Sequence, residues 1–206
     1  RTAAGAGGSA DIEWNVGGAV GLPDGMATYI SYTPEADGSK NANKASSGPS
    51  AATHGYGVDL VVTHSGLQDG LNVFGGASKI SQNPTIGDRT EWVLGATYAV
   101  AGITAGYQRS KIQNPGVGDG HYENDAYGVS FAVNDDLTLS YAQTDSDRVT
   151  GSGTVTRTLE ATSLQLSYSF GGASIKVAEA EVDNKNYLTT AANQREGRTI
   201  ALTLAF

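Results

Sequence analysis

A chain of 206 residues with 39% hydrophobic side chains is long enough for a folded domain, yet no stretch approaches the roughly 20 consecutive apolar residues of a membrane helix. A net charge of -8 argues against nucleic acid as a partner, because phosphates call for Lys and Arg. Zero Cys excludes a disulfide framework, thiol catalysis and thiolate metal sites.

The chain opens on Arg1-Thr-Ala-Ala-Gly-Ala-Gly-Gly-Ser-Ala10, which reads as the end of a long loop. A first strand is expected from Asp11 to Val20, followed by the turn Leu22-Pro-Asp-Gly25 and a long polar connection from Glu35 to Thr53. The next short turn is Gly66-Leu-Gln-Asp-Gly70. Asn72 to Ile80 then breaks alternation at Gly75-Gly76, which suggests a bulge, a rim crossing or a covered stretch. From Glu91 to Val100, Trp92, Leu94, Ala96, Tyr98 and Val100 share one face. A turn at Ala101-Gly102 and a second hairpin arm follow, and Gln113 to Gly120 is a long connection.

Asp125 to Val133 sets Tyr127, Val129, Phe131 and Val133 against Ala126, Gly128, Ser130 and Ala132. After Asn134-Asp-Asp136 the scheme repeats, with Leu137, Leu139 and Tyr141 on one face. Asp145 to Arg157 reads as another long loop. Thr162 to Phe170 alternates most cleanly, with Leu164, Leu166, Tyr168 and Phe170 opposing Ser163, Gln165, Ser167 and Ser169. Beyond Gly171-Gly172, Ser174 to Val182 carries Glu179 and Glu181 and gives neither face a continuous apolar character. Asn184 to Glu196 is the last long connection. The final strand places Ile200, Leu202, Leu204 and Phe206 on one face.

Eleven strands joined by connections that alternate short and long put every second loop on the same side. That is an antiparallel up-and-down meander, and a Greek-key sandwich has no reason to obey it. One apolar and one small or polar face per strand suits a wall between lipid and water. The abundance of Gly (28) and Tyr (10) fits a thin wall with interfacial aromatics. The fold class expected is therefore all-β, a transmembrane antiparallel β-barrel. Bacterial single-chain barrels carry an even number of strands, so eleven suggests a portion of one.

Carboxylates refine the picture. Asp11, Glu13, Asp59 and Glu91 fall in phase with the polar face and out of phase with Ile12, Trp14, Val58, Leu60 and Trp92, so they are expected to line water rather than hydrocarbon. Ser163, Gln165, Ser167 and Lys176 join them as expected pore-lining residues. Four fixed carboxylates suggest a modest preference for cations. Tyr98, Tyr168, Phe170 and Phe206 lie beside short turns or the C-terminus and are expected to form an interfacial girdle.

Other constellations are weaker. His54, His64 and His121 lack any ligand spacing, and no G-x-S-x-G is present. The segment Gly118-Asp-Gly-His-Tyr-Glu-Asn-Asp125 offers oxygen ligands for Ca²⁺ but lacks the order of a Ca²⁺ loop, so a solvated acidic loop is expected there and no cofactor.

The runs Trp92-Val-Leu-Gly-Ala-Thr-Tyr-Ala-Val-Ala-Gly-Ile-Thr-Ala-Gly-Tyr107 and Leu164-Gln-Leu-Ser-Tyr-Ser-Phe-Gly-Gly-Ala-Ser-Ile-Lys-Val-Ala178 resemble the strand, Gly-turn, strand hairpins of general diffusion porins of Gram-negative outer membranes, particularly the Rhodobacter type. The terminal Phe206 resembles the signal read by the barrel assembly machinery. This resemblance covers nearly the whole chain and draws its specificity from repetition. It implies a sixteen-stranded barrel of which residues 1–206 form one domain holding strands six to sixteen, with residues 1–10 ending the constriction loop. It also implies a homotrimer in outer-membrane lipid, passive diffusion of small hydrophilic solutes and ions, and no enzymatic activity. The alternatives are a smaller complete barrel, either a specific channel or an autotransporter translocator, and a surface β-rich adhesin.

Overall fold

The computed structural model describes residues 14–19, 21–33, 56–80, 88–113 and 120–204. Eleven strands lie within them: β1 (Trp14–Gly18), β2 (Met26–Thr33), β3 (Gly57–Ser65), β4 (Leu71–Ile80), β5 (Arg89–Val100), β6 (Ile103–Gln113), β7 (His121–Ala132), β8 (Leu137–Val149), β9 (Val155–Phe170), β10 (Ala173–Asp183) and β11 (Arg195–Leu204). They build one sheet whose spatial order is the chain order, every neighbouring pair antiparallel. Among the described residues there is no α-helix, only two 3-10 turns at Lys185–Tyr187 and Ala191–Asn193.

Local chemistry explains the hairpins. The β5–β6 and β9–β10 turns are two residues long, and Ala101-Gly102 and Gly171-Gly172 all take positive φ (47°, 80°, 51° and 85°). Such turns match the right-handed strand twist, and Gly adopts them without steric cost. Between β7 and β8, Asn134 Oδ1 accepts the backbone N–H groups of Asp136 (2.9 Å) and Leu137 (2.8 Å), a side-chain mimic of a turn. The β1–β2, β3–β4, β5–β6, β7–β8 and β9–β10 connections leave from one rim of the sheet, as the sequence predicts.

Registers sort the side chains into two faces. Directly paired residues share a face, so the row Val129–Tyr141–Leu164 extends sideways to Ala105, Tyr98 and Leu71. Of the exposed large apolar side chains in strands, all but Tyr29 and Val61 fall on this one face. A conventional core is missing, since the buried apolar residues among those described are Ile80 (4% exposed) and Val149 (7%). A soluble sandwich of this size would bury two inner faces against each other. This sheet instead turns its apolar side outward.

The apolar face is banded. On the short-turn side it carries Tyr98, Phe131, Tyr168 and Phe170, the last two stacked at 5.8 Å. On the long-loop side it carries Trp92, Tyr107, Tyr127 and Tyr141, an aromatic row the sequence reading did not separate from the first. Hydroxyls point away from the band at both edges. Tyr98 accepts from Gln68 in the turn below (3.2 Å), Tyr141 donates to Gln143 above (2.9 Å), and Tyr107 donates to Asp125. An apolar ring toward hydrocarbon with its hydroxyl toward water is the arrangement of a membrane interface.

The upper edge of the band drifts across the sheet. Lys79 on β4 stands in the row of His121, whereas Arg198 on β11 stands in the row of Val129, eight residues along β7 over seven strand steps. With about 3.4 Å per residue and about 4.8 Å between strands, that drift corresponds to strands tilted about 39° from the band normal, within the range of membrane barrels. On β9, Phe170 to Thr162 then spans a height of about 21 Å, close to the ~25 Å apolar band of such barrels.

Two expectations need correction. The segment Asp145 to Arg157 is mostly strand: Asp145 pairs with Glu160, Asp147 with Thr158 and Arg148 with Arg157, leaving a loop of only Thr150 to Thr154. Polar residues continue the ladder because this hairpin rises above the band, where neither face meets lipid. The break at Glu179 and Glu181 has the same origin, both being on the apolar face but beyond its upper edge, with Arg198 on Glu179 at 2.7 Å. At Gly75-Gly76 the ladder runs on without a bulge, and the apolar pattern breaks because Phe74 and Ile80 fall on the polar face. Phe74 sits on the polar face and covers Gly95, where a Cβ would overlap its ring.

Candidate functional site

The polar face is the candidate site. On β2 to β6 a row runs Ser31, Asp59, Ser78, Glu91, Ile112, so Asp59 and Glu91 are brought together with one serine between them. Ser31 Oγ donates to Asp59 Oδ2 at 2.9 Å, and Glu91 Oε1 meets Arg89 Nη2 at 2.5 Å. Ser31, Asp59, Ser78, Glu91 and Ile112 line a hollow of about 720 Å³ that also takes in Tyr29, Phe74 and Gln108. Asp11 and Glu13 lie outside the described residues, as does Phe206.

Ser163, Gln165, Ser167 and Lys176 share the polar face of β9 and β10. Ser167 stands opposite Lys176, and Gln165 Nε2 donates to Ser163 Oγ at 3.1 Å. Tyr98, Tyr168 and Phe170 are on the other face at the short-turn edge.

The charge balance of the polar face departs from the carboxylate-based expectation. Register places Arg89, Arg148, Arg157, Lys176 and Arg195 on it beside Asp59 and Glu91. From β6 to β11 the described strand residues include no carboxylate on that face; the acids from Glu123 to Glu196 are on the opposite one. Much of the chain's acidity therefore belongs to the outer wall above the band. Sequence reasoning missed these cations because the strand extensions are polar on both faces, and only the ladder assigns a side.

A second feature has no local signal at all. The β10–β11 connection folds over the polar face, where the Tyr187 ring packs against Tyr122 of β7, tilted at 37° with 5.3 Å between ring centres, and its hydroxyl lies 2.8 Å from Ser146 Oγ. Ser146 donates to Asn124 Oδ1 (2.5 Å), so Tyr187 is the donor to Ser146, and Asn124 Nδ2 continues the chain to Ser110. Asn184 Nδ2 ties the start of the connection to the Thr158 carbonyl (2.9 Å). Ser146 is only 8% exposed beneath this cover. Asn184, Asn186 and Tyr187 all take positive φ (54°, 59° and 59°), costing about 1–3 kcal/mol each for non-glycine residues in a sparsely populated region.

The acidic segment Gly118 to Asp125 is only partly described, but His121 to Asp125 is strand rather than loop. Glu123 Oε1 is engaged by Lys111 (3.4 Å) and His121 (3.1 Å), and Asp125 by Tyr107 and Arg109. Among the described residues no group of three or more acidic or histidine side chains is arranged to hold a metal. His64 sits on the apolar face near the β3–β4 turn, and His54 lies outside the described residues.

No family model matches the chain, and no curated protein does. Among solved structures it is similar to OmpT, an outer membrane protein of Vibrio cholerae, with a TM-score of 0.55 and 13% identity over 92% of this chain. This chain spans 59% of the OmpT chain's length. The NanC porin aligns with 95% of this chain and 99% of its own, at 10% identity and a TM-score of 0.49. The likeness to OmpT, together with the meander and its banded face, gives the fold as that of the antiparallel up-and-down outer-membrane β-barrels.

Proposed function

We propose that this chain forms part of the wall of an outer-membrane porin, a water-filled channel through which small hydrophilic solutes and ions diffuse passively. The observation that carries the reading is the two-sided sheet. Its outward face is apolar, edged by tyrosines at both margins, and its other face is Ser-, Thr-, Gln- and Arg-bearing, so a polar path is held inside a hydrocarbon-compatible shell. Asp59, Glu91, Ser163, Gln165, Ser167 and Lys176 line the water path, joined by Asp11 and Glu13. Transport needs no catalytic step, and the chain acts without a cofactor.

Strand parity supports a larger barrel. With eleven antiparallel strands β1 and β11 run the same way, so an all-antiparallel closure between them takes an odd number of further strands. Five would give sixteen, the number implied by the resemblance to Rhodobacter-type porins, together with a trimer, delivery by the assembly machinery and a location in the Gram-negative outer membrane. The test is reconstitution of the full-length protein into planar bilayers and liposomes. Stepwise conductance with passage of small sugars supports the channel; a folded, inserted protein that conducts nothing refutes it.

A further inference from the structure

We propose that the polar face of β2 to β5 carries a solute-binding subsite, a hollow in the wall that takes organic amines bearing an apolar ring. The inference rests on the channel reading and deepens it by naming a solute class.

The floor of this hollow is apolar where the rest of the water path is not. Tyr29, Val61, Gly76 and Val93 follow one another along a single cross-strand row of the polar face. Farther round the sheet the same row turns to Ser110, Asn124 and Ser146, so the apolar stretch is local. Tyr29 is 52% and Val61 42% exposed, and among the described strand residues they are the exposed large apolar side chains of this face. Apolar side chains turned to water forgo the gain of burial, and a patch of them in a wall of Ser, Thr and Gln marks a surface that a ligand covers.

Two displaced rings and a missing side chain shape the dip. Tyr29 lies across Gly17 and Phe74 across Gly95, each where a Cβ would overlap the ring, so both rings run along the wall. Gly76 stands between the valines; a Cβ there would come within 3.4 Å of Val93 Cγ1 and 3.7 Å of Val61 Cγ2. With strands about 4.8 Å apart, the valines flank a glycine-floored slot about 9.6 Å wide between backbones. The volume of about 720 Å³ falls among small-molecule sites, which run to about 300–1,000 Å³.

The adjacent row toward the long loops supplies the polar rim. Asp59, Ser78 and Glu91 stand side by side in it, and Arg89 is the cation on the described polar face of β1 to β6. Both carboxylates have partners, Ser31 Oγ on Asp59 and Arg89 on Glu91, so the rim is an organised set of acceptors with more carboxylates than cations. A carboxylate accepts several donors, and an ammonium brings three N–H groups. Asp59 and Val61 are two residues apart on β3, about 6.8 Å, which a short alkyl link between ammonium and ring spans. A solute of the same shape bearing a carboxylate meets like charge at this rim.

The test is single-channel recording of the full-length protein in planar bilayers with phenethylamine in the bath. Brief interruptions of the current should last longer with phenethylamine than with phenethyl alcohol, its neutral counterpart, or hydrocinnamate, its anionic one. Val61→Thr with Val93→Thr keeps the branched shape and should shorten the phenethylamine interruptions by roughly fivefold or more. Asp59→Asn should bring phenethylamine to within about twofold of the alcohol. Equal residence of amine, alcohol and anion overturns the proposal. So does an unchanged residence in the Thr pair, with strand content verified by circular dichroism. A conducting parent that phenethylamine never interrupts overturns the subsite and leaves the channel in place, whereas a parent that inserts and conducts nothing removes the channel itself.

Discussion

Replacing Leu166 by Arg probes the two-sided wall at its most demanding point. Leu166 lies midway between Phe170 at the lower margin and Thr162 at the upper, with Leu139 and Val177 as its ladder partners. An arginine there projects into mid-band hydrocarbon, which costs about 2–4 kcal/mol in a β-barrel, less near the margins. Ser167→Arg, one residue away, points to the polar face opposite Lys176, where the like charge across the ladder should cost at most about 1 kcal/mol. Adjacent residues should thus differ by several-fold in their effect on the free energy. The assay is equilibrium folding into phospholipid vesicles, titrated with guanidinium and followed by tryptophan fluorescence and heat-modifiable migration. Equal destabilisation by the two variants, or a larger loss from Ser167→Arg, would refute the assignment of faces, because a one-residue slip exchanges them entirely.

Cysteines placed singly at Ser163, Gln165 and Ser167 should react with a water-soluble maleimide in the folded protein, while those at Leu164, Leu166 and Tyr168 should be spared until the protein is unfolded; the reverse pattern would contradict the register. Asp125, Asp145, Glu160 and Asp183 form one cross-strand row, so Asp145→Asn should raise stability by about 0.2–1 kcal/mol in low salt and less in high salt, as read from the same guanidinium titration at two ionic strengths. Tyr141→Phe removes the hydroxyl that reaches Gln143 but keeps the ring, and should cost about 0.5–1.5 kcal/mol; Tyr141→Ala should cost clearly more, and equal losses would deny the ring its interfacial role.

Sequence alone made the strands, the turn rim and the clean faces legible because each depends on neighbours within a few residues. Thr162 to Phe170 declares its faces through period two, and Ala101-Gly102 and Gly171-Gly172 declare their turns through backbone conformation. The charged extensions were opaque for the opposite reason. Above the band both faces meet water, so Asp145, Asp147, Arg148 and Arg157 show no hydrophobic alternation, and an extended hairpin looks like a loop. Glu179 misled similarly, since strand tilt brings the band's edge earlier on β10 than on β7. Tyr187 could not be found by any local pattern, because its partners Tyr122 and Ser146 lie two to three strands away. The basic side of the polar face emerged only once the ladder told which side each arginine takes.

The chain-order sheet also bears on how the molecule comes together. Every ladder joins strands that are consecutive in sequence, so each can zip from its own connection at modest loop-closure cost. Growth by successive hairpins leaves two unpaired edges, β1 and β11, until the end, and an unpaired edge is a template for any extended chain. Closing those edges into a cylinder is the step that brings sequence-distant residues together, and it should therefore be the slow one, with the rest of the wall already formed.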